Sequence, residues 1–101
     1  MTEVKHEAAV TYTSYLKVEE LLSLQQPLSD GPEHDETLFI VIHQTYELWF
    51  KQVLHELKSV LAVFAATQVK DEQLTGVVHK LKRVITIQQL MNQQIGVMET
   101  M

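Results

Sequence analysis

Between His34 and Phe64 the chain reads HDETLFIVIHQTYELWFKQVLHELKSVLAVF, with no glycine or proline to interrupt it. Apolar residues fall at 38, 39, 42, 46, 49, 50, 53, 54, 57, 60, 61 and 64. These spacings of three and four align one stripe of an amphipathic α-helix. At a rise of about 1.5 Å per residue the predicted helix is about 45 Å long, a bundle element rather than a lone surface helix. A turn of roughly 100° per residue centres the stripe on Phe39, Leu57 and Phe64, and Trp49 and Phe50 read as core. One polar ring interrupts the stripe: His43, a turn above Phe39. His55 lies on the opposite side among Lys51, Gln52 and Lys58. A polar ring in an apolar stripe is costly unless its nitrogens are hydrogen-bonded. Spacing alone favours a partner on a neighbouring helix for His43.

Residues 65–70 break the pattern and form a short connection, so the next helix returns antiparallel. It is predicted from about Asp71 to Thr100, opened by Asp71 and Glu72, with Leu74, Val77, Val78, Leu81, Val84 and Ile85 on one stripe. His79, Lys80, Lys82 and Arg83 read as a solvated outer surface. Beyond Ile85 apolar residues spread around much of the circumference, the signature of a segment covered on several sides. Two long helices and one short one cannot supply those neighbours. Either other subunits cover this end or the chain is part of a longer protein.

Upstream, TYTSYLKVEELLSLQ predicts a short helix capped by Ser14, with Tyr12 and Tyr15 three residues apart. Spacing alone favours a helix packed on the core with half-exposed tyrosines. An aromatic arm that closes a pocket is the functional alternative. QQPLSDGPEH is a turn cluster, with Pro32 suited to the first turn of the long helix. Residues 1–10 are polar and read as a disordered arm. The expected fold is therefore all-α: a long antiparallel helical hairpin, a short N-terminal helix across it, and self-association into an oligomeric helical bundle.

Composition narrows the function. The 101 residues form a single segment at most one domain in size, 46% hydrophobic and 21% charged. A formal charge of −5 argues against nucleic acid and anionic membrane as partners. Without cysteine there are no disulfides or thiolate metal sites. No apolar segment reaches the roughly 20 residues of a membrane span, and no signal-peptide core is present, which favours the cytoplasm. Phosphate loops, nucleophile elbows and metal-spaced histidine pairs are absent, and His43 with Glu47 four residues on does not make a metal site.

Taken together, YTSYLKVEELLSLQQPLS, HDETLFIVIHQTYELWFKQVLHEL and the closing VMETM resemble the N-terminal part of the tryptophan 2,3-dioxygenase family. The middle string carries most of the specificity, and the match is strong over residues 12–64 and looser over 70–101. The resemblance implies a haem-dependent, all-helical homotetramer that inserts dioxygen across the indole C2–C3 bond of L-tryptophan, giving N-formylkynurenine. It implies that His43 lies on the distal side of haem b and accepts the indole N–H. It further implies that Phe39 packs against the indole and that Ile40, Val41 and Ile42 complete that pocket segment. Tyr12, Tyr15 and Leu16 match an arm that enters a neighbouring subunit's site. The proximal histidine and the residues gripping the substrate's carboxylate and ammonium match nothing here, so the chain resembles the distal half of a pocket. The contrasting expectation is a non-catalytic helical oligomerisation or binding module that keeps the scaffold without the chemistry.

Overall fold

A computed structural model describes residues 9–101. Of the arm expected over residues 1–10, only 9 and 10 fall within it, as irregular chain; the rest lies outside the described residues. Four helices follow: α1 (Tyr12–Leu16), α2 (Val18–Leu22), α3 (Asp35–Phe64) and α4 (Asp71–Met98). Among the described residues there is no strand. The all-α antiparallel hairpin is as the periodicity predicts, and α3 begins one residue after the predicted start. The extents of 59 × 44 × 19 Å describe a flat molecule whose thin dimension is under two helix diameters. Among the described residues it is a single layer.

The N-terminal segment departs from expectation. It is two short helices broken at Lys17, which adopts the left-handed conformation (φ 53°, ψ 49°). Thr11, not Ser14, is the N-cap. Its hydroxyl accepts the Ser14 amide at 3.1 Å, and the Ser14 hydroxyl accepts the Thr11 amide at 3.0 Å, a reciprocal capping box. Neither helix packs its backbone on the hairpin: in place of the expected short helix across the core, α1 forms a projecting arm and α2 faces α3 only through Leu21. Pro32 also stands outside α3, two residues before the His34 cap.

The seam between α3 and α4 does not use the centre of either apolar stripe. Its buried residues are Ile42, Glu56 and Val60 on α3 and Val77, Val84 and Ile87 on α4. At roughly 100° per residue these lie about 70° away from the predicted stripe centres, in the same rotational sense on both helices. In an antiparallel pair that common rotation carries both displaced stripes to one side of the layer. Phe39, Phe50, Leu54, Leu61 and Phe64 of α3 and Val78 and Ile85 of α4 are accordingly exposed. Phe50, expected in the core, is 46% exposed.

Along the seam, polar side chains bridge the two helices. Tyr46 donates its hydroxyl to the Met91 carbonyl at 2.9 Å. Lys80 donates to the Ser59 hydroxyl. Glu56, only 4% exposed, accepts from Arg83 at 3.0 Å and from the Gln52 amide at 2.7 Å. Arg83 also donates to His79 Nε2 at 3.1 Å. A guanidinium has no lone pair to offer, so that nitrogen is the acceptor and the His79 ring is neutral in this arrangement. Lys80 and Arg83 therefore reach across the seam, while His79, Lys82 and much of Arg83 stay on the solvated surface read from the sequence. Arg83, with Gln52, holds the Glu56 carboxyl below its usual 4.5, against burial, which pushes it up.

Candidate functional site

α3 turns Phe39 and His43 onto one face because four residues bring the helix round by about one turn. Their rings lie 4.3 Å apart at a tilt of 36°. His43 Nδ1 lies 2.7 Å from the Phe39 carbonyl oxygen. A carbonyl only accepts, so Nδ1 carries the proton, and in the neutral ring Nε2 is left as a free acceptor. The partner that a polar ring in an apolar stripe requires is thus its own helix, not a neighbour.

His43 is solvent-exposed in this layer, as is Phe39 at 51%. Among the described residues nothing encloses the imidazole. What surrounds it is one-sided: by register it sits between Phe50 and Leu54 on the side of the layer that carries the displaced stripes. A hollow of about 550 Å³ opens beside it, bounded by Tyr46, Phe50, Met91, Asn92 and Ile95. A second hollow, of about 530 Å³, lies on its other flank, walled by Leu21 and Leu24 against Gln44 and Leu48. Glu47 borders both. Such a face offers one oriented hydrogen-bond acceptor on an aromatic and aliphatic wall, suited to a flat apolar ring bearing an N–H.

The segment between α2 and α3 forms the wall of the second hollow. Gln44 donates to the Leu24 carbonyl at 3.0 Å and accepts from the Gln25 amide at 2.8 Å. The Glu36 carboxylate accepts the Leu28 and Ser29 amides at 2.8 and 3.2 Å. The Ser29 hydroxyl and these amides hold its carboxyl below the usual 4.5.

Of the residues singled out from the sequence, the structure unites Phe39 and His43 only. Ile42 is buried on the α4-facing side, and Ile40 and Val41 fan onto other faces of α3. Tyr12 and Tyr15 are 77% and 74% exposed on the arm, with Leu16 beside them, and do not reach His43 of the same chain. Gln44 and Glu47 border the site without having been predicted, and Glu36 anchors the segment that walls it; their place inside the HDE, HQ and YELWF strings was the available signal. Among the described residues no cluster of three or more metal-ligating side chains forms, and no helix is long and apolar enough to cross a membrane.

Comparison with known sequences follows the same strings. A family profile described as tryptophan 2,3-dioxygenase matches residues 2–101. The tryptophan 2,3-dioxygenase of Alteromonas mediterranea is 54% identical over 94 residues, covering 89% of this chain and 26% of that protein. That of Herpetosiphon aurantiacus is 53% identical, covering 92% of this chain and 34% of its own length. That of Dictyostelium discoideum is 49% identical over 91% of this chain and 24% of its own. The chain thus spans between about a quarter and a third of the length of these curated relatives.

Proposed function

The chain belongs to the tryptophan 2,3-dioxygenase family, and from that premise we propose that it forms the substrate-side wall of a haem-dependent dioxygenase acting on L-tryptophan. The product is N-formylkynurenine, from insertion of dioxygen across the indole C2–C3 bond. The observation that carries the reading is the contact of His43 Nδ1 with the Phe39 carbonyl. Its Nδ1–H is engaged by the Phe39 carbonyl, so Nε2 faces outward as an acceptor beside the Phe39 ring. An indole presents one N–H donor on a flat apolar ring, which this pair matches in both polarity and shape. His43 orients the ring and holds no proton for transfer at Nε2 while neutral. Phe39 packs against the indole and excludes water from one side.

Haem b supplies the dioxygen chemistry when bound. The exposed apolar side of the layer, with Phe39 and His43, would form one wall of its pocket. Self-association, a homotetramer in the family's pattern, and delivery of Tyr12, Tyr15 and Leu16 into a neighbouring subunit's site belong to the same reading, as does the cytoplasm. Supporting the arm is its projection away from the hairpin; supporting assembly is the apolar side of the layer.

The test is steady-state kinetics of His43→Ala in the complete enzyme. One lost hydrogen bond of ordinary strength raises KM for L-tryptophan or lowers kcat by about tenfold. Unchanged kinetics would remove His43 from the site. Haem titration followed at the Soret band, with and without L-tryptophan, separates the enzyme from a non-catalytic helical module: a module of that kind shows no substrate-dependent spectral change.

A further inference from the structure

The residues of the HDE and HQ strings that the proposed function leaves idle have partners of their own. From Gln25 to Asp30 the backbone makes no hydrogen bond to other backbone. Those six residues have no fold of their own, yet they run along α3 in a fixed register. Leu24 lies at Gln44, held by an amide that both donates to its carbonyl and accepts from Gln25. Gln25 in turn donates to the Leu21 carbonyl at 3.0 Å, tying in the end of α2. Leu28 and Ser29 lie at Glu36, one carboxylate oxygen to each amide.

The distances agree. Eight residues of helix from Glu36 to Gln44 advance about 12 Å. Four residues of extended chain from Leu24 to Leu28 span about 13 Å. The strap is therefore drawn out straight between two side chains of α3, and Pro27, which has no N–H to satisfy, suits its middle.

We propose that Glu36 and Gln44 are positioning residues, two staples that hold residues 24–29 along α3 so that Leu21 and Leu24 form the second wall beside His43. Glu36 lies outside both hollows beside His43, and Gln44 borders the second with its amide spent on the strap. They act through the strap. The consequence for substrate rests on the function proposed above; the stapling itself does not.

Amide hydrogen exchange in the intact protein tests the stapling directly. In Glu36→Gln one acceptor oxygen is replaced by an NH₂ that cannot accept, so exchange rises about five- to tenfold at whichever of Leu28 and Ser29 faces it. The seam amides near Val60 and Val84 stay as in the parent. Gln44→Leu raises exchange of the strap in the same local manner. Exchange unchanged in both variants, or raised equally in the seam, overturns the proposal. In the complete enzyme both variants raise KM for L-tryptophan severalfold with kcat held. A fall in kcat at constant KM, or no kinetic change where exchange responds, overturns the wall role. A parent protein inactive on tryptophan refutes the proposed function instead, because the exchange measurement reads the strap without turnover.

Discussion

The two long sides of α3 treat their polar groups in opposite ways. On the seam side every bridging group is satisfied within the chain: Glu56 by Arg83 and Gln52, Tyr46 by the Met91 carbonyl, Ser59 by Lys80. On the open side His43 spends only Nδ1, on the Phe39 carbonyl, and Nε2 is left among exposed apolar side chains. The two histidines make the contrast sharp. His79 gives its Nε2 lone pair to Arg83 of its own helix, the residue that reaches across to Glu56. His43 keeps its lone pair aimed outward. A seam that closes on itself serves the fold; a face that orients an acceptor without using it serves something that arrives later.

The largest effects on stability should come from the seam. Ile42→Ala and Ile87→Ala each remove a buried side chain from a core of only five apolar residues, and should cost about 2–4 kcal/mol by chemical denaturation. Phe50→Ala, on the open side, should cost under about 1 kcal/mol despite deleting more atoms, because nearly half of that ring is already in water. If Phe50→Ala unfolds the protein as readily as Ile42→Ala, the open side is packed in solution and the contrast collapses.

Next in size is the ion pair. Arg83→Ala strands a buried carboxylate and should lower the thermal midpoint clearly more than Lys82→Ala on the outer surface. The double replacement Glu56→Leu with Arg83→Leu should recover most of that loss, because it removes both charges together. Failure of the double variant to recover would mean that the pair sets the helix register and does not merely avoid a penalty.

How much of this was legible in the sequence follows from what periodicity measures. A spacing of three and four reports that an apolar face exists, and so both long helices, their hairpin and the 65–70 turn were readable from residue types alone. It does not report which edge of that face meets the neighbouring helix. Glu56 shows why: a carboxylate is counted against burial unless its guanidinium partner, 27 positions on, is known to face it. The broken arm was hidden for a local reason, since Lys17 gives no hint of a left-handed backbone, a conformation usually left to glycine or asparagine. For His43 and Phe39 the pairing was readable as one helical turn. The engaged carbonyl was not, because main-chain acceptors are invisible in a list of side chains.

Acid should separate the two sides by a smaller margin. Glu36 and Glu56 both hold folded-state values below the usual 4.5. Their contribution is complete above about pH 4.5, where the unfolded chain is also ionised, and is lost as pH falls through their lowered folded values. Circular dichroism against pH should therefore show the seam and strap loosening on the acid side of 4.5. Glu56→Gln should flatten that dependence, since the amide has no proton to gain. A profile equally steep in Glu56→Gln would place the acid sensitivity elsewhere.

The smallest expected effect is the most telling. His43→Ala deletes an exposed hydrogen bond and the contact with the Phe39 ring, together worth about 1 kcal/mol at most. Alanine returns about 0.5 kcal/mol through its better helix propensity, so the net change in folding free energy should stay within about 0.5 kcal/mol. A residue that the fold can lose so cheaply, yet whose ring is oriented by a hydrogen bond to its own helix, is not there for stability. If the substitution instead costs 2 kcal/mol or more, His43 is a packing residue like Ile42, and the open side is a second seam.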